Sequence, residues 1–213
     1  MANLRTGSSG YYYGSLIGES TPLTTEQMSL NANYIKNYLV ARGWSENAVA
    51  GMLGNMQAES TINPGRWQSE SVGNTSMGYG LVQWTPSTKY TDWCNSQGLS
   101  DYSEMDSNLA RIIYEVENNI QWIATSEYNF SFKTFSQSNL SVSELAKAFL
   151  LCYERPADQS ESVQEYRSEL ALKWFDTISS SGSVVPIIKR KSNFNFLLFS
   201  INRRRKQWIK QNL

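Results

Sequence analysis

Ser45-Glu46-Asn47-Ala48-Val49-Ala50-Gly51-Met52-Leu53-Gly54-Asn55-Met56-Gln57-Ala58-Glu59-Ser60 opens the stretch that decides the fold, and Gly78-Tyr79-Gly80-Leu81-Val82-Gln83-Trp84 closes it. Val49, Met52, Leu53 and Met56 recur at spacings of three and four, the period of a helix with one apolar face. Ser45 is placed to cap that helix, and Glu46 sits against the positive end of its dipole. Ala50, Gly51 and Gly54 make a strip of small residues that lets another element pack closely. Glu59 lies seven residues beyond Met52 and three beyond Met56, on the apolar face at the C-terminal end of the helix. Desolvation and the negative end of the dipole both disfavour an ionised carboxyl there, and a carboxyl kept protonated near neutral pH is a general acid. Periodicity alone leaves a second reading open, in which Glu59 merely ends the helix and faces solvent.

Thr61 to Met77 is broken by Pro64, Gly65, Gly73 and Asn74-Thr75-Ser76, which predicts loops and short hairpin strands. Tyr79, Leu81 and Gln83 alternate with Gly80, Val82 and Trp84 like a strand, which Pro86 stops. Glycines at 78 and 80 strip one wall of side chains and admit a ligand to the backbone. Tyr79, Gln83, Trp84 and Trp67 offer stacking faces and an amide, which suit sugar rings. The alternative is an ordinary aromatic core hairpin.

Around this stretch the chain reads as helices. Thr25 caps a helix that runs to about Arg42, and Gly43 stops it. A helix begins near Tyr90 and breaks at Gly98; Ser103 then caps a long amphipathic helix carrying Met105, Leu109, Ile112, Ile113, Val116, Ile120 and Ile123. Residues 127–142 form a connection, Ser143 to Leu151 a helix closed by Tyr153-Glu154-Arg155-Pro156, and Ser160 to Ile178 a last helix with Val163, Tyr166, Leu170, Trp174 and Phe175 inward. The fold class is therefore α+β, mainly α, with a small antiparallel β-hairpin sheet after the helix that carries Glu59. Residues 1–23, rich in Gly, Ser and Tyr, read as a flexible arm; 24–178 form the domain, 179–183 a Ser/Gly linker and 184–213 a basic amphipathic tail.

Composition narrows the chemistry. The chain has no histidine, which excludes Ser-His-Asp and Cys-His catalysis and histidine-ligated zinc hydrolysis. Cys94 and Cys152 are too few for a four-thiolate metal site and read as free, buried thiols, although spacing alone permits a pair. No cofactor or metal is expected, and a carboxylate mechanism is the simplest survivor. No apolar run approaches the roughly 20 residues that span a bilayer, and the start, Met1-Ala2-Asn3-Leu4-Arg5, has no secretory signal core. Residues 187–213 hold eight Lys/Arg and no acid, leaving 11 bases against 19 acids and a net charge of −8 in residues 1–186.

Three runs carry a resemblance: Gly51-Met52-Leu53-Gly54-Asn55-Met56-Gln57 with Glu59-Ser60-Thr61-Ile62-Asn63-Pro64, then Gly80-Leu81-Val82-Gln83-Trp84-Thr85-Pro86, then Tyr153-Glu154-Arg155-Pro156-Ala157. Over about residues 24–178 the chain resembles the lysozyme domain of phage tail-tip cell-wall hydrolases, those of small Bacillus podoviruses in particular. The resemblance implies a lysozyme-like fold and cleavage of the peptidoglycan glycan strand of a Gram-positive wall by a virion tail, so that the genome can pass. It implies Glu59 as the catalytic acid, Gly80 and Gln83 as cleft residues, and Tyr153 and Glu154 as facing or bracing the same cleft. A glutamate followed by serine at a helix end, with a later Gly-Leu-Xaa-Gln segment, is also similar to lytic transglycosylases and goose-type lysozymes. The chain departs from the resemblance in lacking room, and any histidine, for the zinc endopeptidase domain that follows the linker in the tail-knob hydrolases.

Glu59 would protonate the glycosidic oxygen as the sugar gains oxocarbenium character. Glu70 is the nearest second carboxylate by sequence and Asp92 the next, and neither sits in a matched run. Hydrolase and transglycosylase outcomes stay open, as do an endolysin acting in lysis and a non-catalytic structural tail protein. Expected partners are glycan strands and other tail proteins, with no specific nucleic-acid binding. Phe194 to Ile201, flanked by basic clusters, suits an anionic membrane surface or wall polymer, a contact with the acidic body, or no fixed structure.

Overall fold

A computed structural model describes residues 1–69 and 71–180. Glu70, the linker from residue 181 and the basic tail lie outside the described residues. The order is β1 (Asn3–Gly7), β2 (Gly10–Gly14), α1 (Thr25–Val40), α2 (Glu46–Ser60), α3 (Thr88–Ser96), α4 (Met105–Asn118), α5 (Phe132–Ser136), α6 (Val142–Phe149), a π-helical turn (Leu150–Glu154) and α7 (Glu161–Ser180). The architecture is α+β and mainly α, as the sequence predicts.

Helix α2 is the axis. Its N-terminus is capped by Ser45, whose Oγ accepts from the Ala48 N–H at 3.1 Å. Ala48 through Met56 are buried without interruption, so the helix is enclosed on all sides rather than on the single face its periodicity suggests. Helices α1, α6 and α7 surround it. The small-residue strip is what lets them in. A Cβ on Gly51 would lie 2.9 Å from the Ala146 backbone nitrogen of α6, and one on Gly54 would lie 2.5 Å from the Arg167 carbonyl of α7. Full burial of Val49, Met52, Leu53 and Met56 contributes about 1.5–3 kcal/mol each.

The small sheet is not where the sequence places it. β1 and β2 pair antiparallel at the N-terminus, in the segment expected as a flexible arm, and the segment after α2 holds only the isolated bridges Trp67–Tyr79 and Tyr79–Trp84 among its described residues. The arm is ordered because its polar groups find partners on the body. Arg5 binds Asp101 and Glu104, each at 2.5 Å, Tyr12 donates to Glu104 at 2.6 Å, and Asn31 of α1 exchanges hydrogen bonds with both backbone groups of Tyr13. Tyr12 is fully buried against the Tyr34 ring.

Several boundaries also move. Thr24, not Thr25, caps α1, in a reciprocal box with Gln27. Helix α4 begins after Glu104 rather than Ser103 and ends at Asn118, because the next residue, Asn119, is left-handed at φ +51° and breaks the ladder before Ile123. The aromatic connection contains α5. On α7, Tyr166 is exposed while its neighbour Arg167 is buried, because close approach at Gly54 turns that face inward. Helix α7 continues through Ser179 and Ser180 of the expected linker. Cys94 and Cys152 are free and buried, as expected.

Candidate active site

Glu59 sits one residue before the end of α2, and the chain leaves that helix by an unusual route. Thr61 and Ile62 both adopt left-handed backbone, φ +53° and +54°. For a β-branched isoleucine this conformation costs roughly 1–2 kcal/mol, so the surroundings must impose it. They do so through hydrogen bonds. Asn31 donates to the Ile62 carbonyl at 2.8 Å, Ser60 Oγ donates to the Leu81 carbonyl at 2.8 Å, and the Leu23 N–H reaches Thr61 Oγ1 at 3.0 Å. Asn63 accepts from the Ser15 and Gly65 N–H groups and donates to Ser15 Oγ and the Thr21 carbonyl. The N-terminal segment is thus a brace for the end of α2.

Residues 79–84 are a chain reversal, not a strand. Tyr79 and Trp84 pair backbone to backbone across it, Gly80 turns at φ +84°, and Gln83 leaves at φ +48°. Alternation of side chains here reports burial on two sides of a tight loop. Gln83 Nε2 locks the loop by donating to the Gly80 and Arg66 carbonyls at 2.9 and 3.0 Å, while Asn108 Oδ1 accepts the Leu81 N–H at 3.0 Å.

The opposite wall is the π-helical turn. Its wider ladder ends at Arg155, which is left-handed at φ +49°. Arg155 Nη1 holds the Gln121 and Cys152 carbonyls at 2.5 and 2.6 Å, and Gln121 Nε2 reaches the Tyr153 carbonyl at 3.1 Å. Such turns recur at functional sites because they displace side chains from the regular helical positions.

Glu115 of α4 ties the walls together. Its buried carboxylate accepts from Trp84 Nε1 at 3.0 Å, Arg111 Nε at 2.8 Å and the Tyr153 hydroxyl at 2.5 Å. Burial pushes this carboxyl up, and Arg111 and the hydrogen bonds only partly offset it.

Between the walls lies a cleft of roughly 350 Å³. Glu59 lines it from α2, Arg66, Gln68 and Ser69 from the loop after α2, and Val82 to Thr85 from the reversal. Lys89, Gln121 and Tyr153 to Pro156 complete it. The Glu59 side chain is 24% exposed and pairs with Arg167 of α7, Oε1 to Nη2, at 2.7 Å. The sequence predicts an apolar setting for Glu59; α7 instead supplies a counter-charge. Glu154, on the opposite wall, is part-buried. Its Oε1 is buried with no hydrogen-bond partner among the described residues, and burial and the nearby Glu59 charge push its carboxyl well above the usual range.

The structure therefore brings Glu59, Gln83, Trp84, Tyr153 and Glu154 to one cleft and removes Tyr79 and Gly80 from it. Tyr79 is fully buried between Trp67 and the rings of Tyr90 and Tyr102. Gly80 is needed for its positive φ and because a Cβ there would lie 2.7 Å from Asn108 Oδ1, not for ligand approach. Trp84 is floor rather than platform, since its ring stacks on Tyr90 at 4.5 Å and is 2% exposed. Sequence reasoning misses Glu115 and Arg167. Glu115 carries a signal, an acid at helical spacing from Asn108 and Ile112; Arg167, 108 residues from its partner, carries none.

A family model described as phage tail lysozyme matches residues 30–178. The chain is also 53% identical over 161 residues to Morphogenesis protein 1 of Bacillus phage B103, an alignment covering 76% of this chain and 42% of that protein. The chain thus spans less than half the length of that relative.

Proposed function

The chain belongs to the phage tail lysozyme family, and on that premise we propose that its cleft hydrolyses the glycan strand of peptidoglycan, with Glu59 as a catalytic carboxyl group. The observation that carries this reading is the presence of two carboxyl groups in one cleft, Glu59 paired with Arg167 and Glu154 part-buried with one buried oxygen, Oε1, that has no partner among the described residues. Two carboxyl groups in different surroundings within one cleft suit acid–base cleavage of a glycosidic bond. Gln83, Trp84 and Tyr153 shape the floor that a sugar chain would meet. Gln83 Oε1, buried and unpartnered among the described residues, is an acceptor for a substrate hydroxyl or amide.

In a virion tail this activity would open the Gram-positive wall for the genome. The B103 relative is a morphogenesis protein, which fits a place in the particle. Digestion of purified walls followed by mass spectrometry tests the reaction. Hydrolysis gives reducing-end sugars, whereas a transglycosylase adds no water across the glycosidic bond and gives anhydro ends about 18 mass units lighter. Absence of any released glycan from wild-type digests overturns the glycosidase reading.

A further inference from the structure

We propose that Arg167 is the positioning residue of the cleft: its guanidinium takes one oxygen of Glu59, Oε1, and so leaves the other, Oε2, to hand a proton to the departing glycosidic oxygen. This rests on the glycosidase reading above, with Glu59 as its acid, and goes beyond it in naming the group that aims that acid.

The first observation is the division of the two Glu59 oxygens. Arg167 Nη2 donates to Oε1 at 2.7 Å. Oε2 has no partner among the described residues, and its side chain lines the cleft. One oxygen is fixed and the other is free to meet a ligand.

The second is how firmly the guanidinium is held. Its Nη1 donates to the Asn55 carbonyl at 2.8 Å, one helical turn before Glu59 on α2. Asn55 is in turn pinned to α6, its Nδ2 donating to the Ala146 carbonyl at 3.0 Å. A planar guanidinium bound through two nitrogens keeps one orientation, which a lysine ammonium on its flexible stem does not. The backbone of Arg167 has no slack either. A Cβ on Gly54 would stand 2.5 Å from the Arg167 carbonyl, so α7 lies directly on α2 at this point. Three helices thus fix the direction of one carboxyl group, and Arg167 is buried, which keeps water from competing for Oε1.

The arrangement suits the reaction and balances. The bond between the sugar C1 and the glycosidic oxygen breaks, its electron pair stays with that oxygen, and the oxygen takes the Oε2 proton. Water bonds to C1, and the proton it releases to solvent is replaced on Glu59 from solvent. The Glu59 carboxylate formed in between is negative, and Arg167 is already in place beside it, so no group need reorganise. Arg167 touches neither sugar nor water; it acts through Glu59.

The test uses the full chain with Arg167→Lys and Arg167→Ala, solubilised Gram-positive glycan strands as substrate, and thermal melting beside the kinetics. Misdirecting the acid should lower kcat by about 10-fold in Arg167→Lys and about 100-fold in Arg167→Ala, with KM nearly unchanged. Low, non-denaturing guanidinium should restore part of the kcat of Arg167→Ala, and sodium at the same concentration should not. A plain staple between α2 and α7 predicts lower melting temperatures with kcat intact in the folded variants. An Arg167→Lys chain with the kcat of wild type, a loss confined to KM or to melting, or equal recovery with sodium overturns the proposal. Where Arg167→Ala does not fold, the division of the Arg167→Lys effect between kcat and KM decides. A wild type that releases no glycan takes down the glycosidase reading itself. An active wild type with an equally active Arg167→Lys takes down only the role of Arg167.

Discussion

The two walls of the cleft supply the same functional group by opposite means. Glu59 rides on a regular, capped helix whose neighbours press in over Gly51 and Gly54, and it arrives partly exposed against Arg167. Glu154 hangs from a π-helical turn clamped by Arg155 and Gln121, and its Oε1 is shut away from any partner among the described residues. One wall compensates charge and the other suppresses it. A side chain's chemistry in this cleft is therefore set by what the fold packs around it, not by its identity or by the helix that bears it.

The largest test of this contrast is Glu59→Gln. Loss of the compensated carboxylate should slow wall clearing by about 10²–10⁴-fold, the usual worth of a positioned acid or base, read by turbidity. A rate near that of wild type breaks the contrast at its first member.

The Glu59 wall depends on close packing, so Gly54→Ala comes next. Its methyl would meet the Arg167 carbonyl at 2.5 Å and the Ala171 nitrogen at 2.7 Å. Urea unfolding should show a loss of about 1–3 kcal/mol, since backbone must shift to make room. Unchanged stability means that α7 is not held where the Glu59–Arg167 pair needs it.

The Glu154 wall depends instead on the buried Glu115. Glu115→Gln leaves Arg111 without its carboxylate and weakens the bonds from Trp84 and Tyr153. A loss of about 1–3 kcal/mol is expected in chemical unfolding, with altered tryptophan fluorescence.

A pH series separates the walls further. Burial raises the Glu154 and Glu115 carboxyls above the ordinary value of 4.5, so above that pH the folded chain binds more protons at these two groups than the unfolded chain does. Their contribution to stability is full below the ordinary value and is lost as pH rises through the folded values. Melting temperature should fall with rising pH over that window, and Glu154→Gln should flatten the fall. A wild-type profile as flat as that of the variant removes the contrast between the walls.

The smallest effect is expected at Tyr79. Its hydroxyl is buried and unpartnered among the described residues, so Tyr79→Phe should leave turnover unchanged and stability level or slightly higher. A marked fall in turnover would return Tyr79 to the cleft.

Local signals are sufficient for the parts of the fold in which the physics is local. Three- and four-residue spacing, Ser45 as a cap and the small strip at 50–54 locate α2 and its close neighbours. They are insufficient where partners lie far along the chain. The Gly/Ser/Tyr-rich N-terminus lacks the apolar surface to order itself; Asp101, Glu104, Asn31 and Asn63 order it. Alternation over 79–84 imitates a strand because a tight loop buried on both sides alternates too.

By itself the sequence determined a mainly helical α+β chain, a central helix with glutamate at its end, and the three runs that resemble a family of wall hydrolases. Its lack of histidine narrowed the chemistry to carboxylates. Tertiary structure alone decided which residues meet. It placed Arg167 on Glu59 across 108 residues, moved Tyr79 into the core, and brought Glu154 to the cleft on a π-helical turn. The reason is that desolvation and Coulomb energy depend on distance in space, and a linear pattern of side chains does not contain that distance.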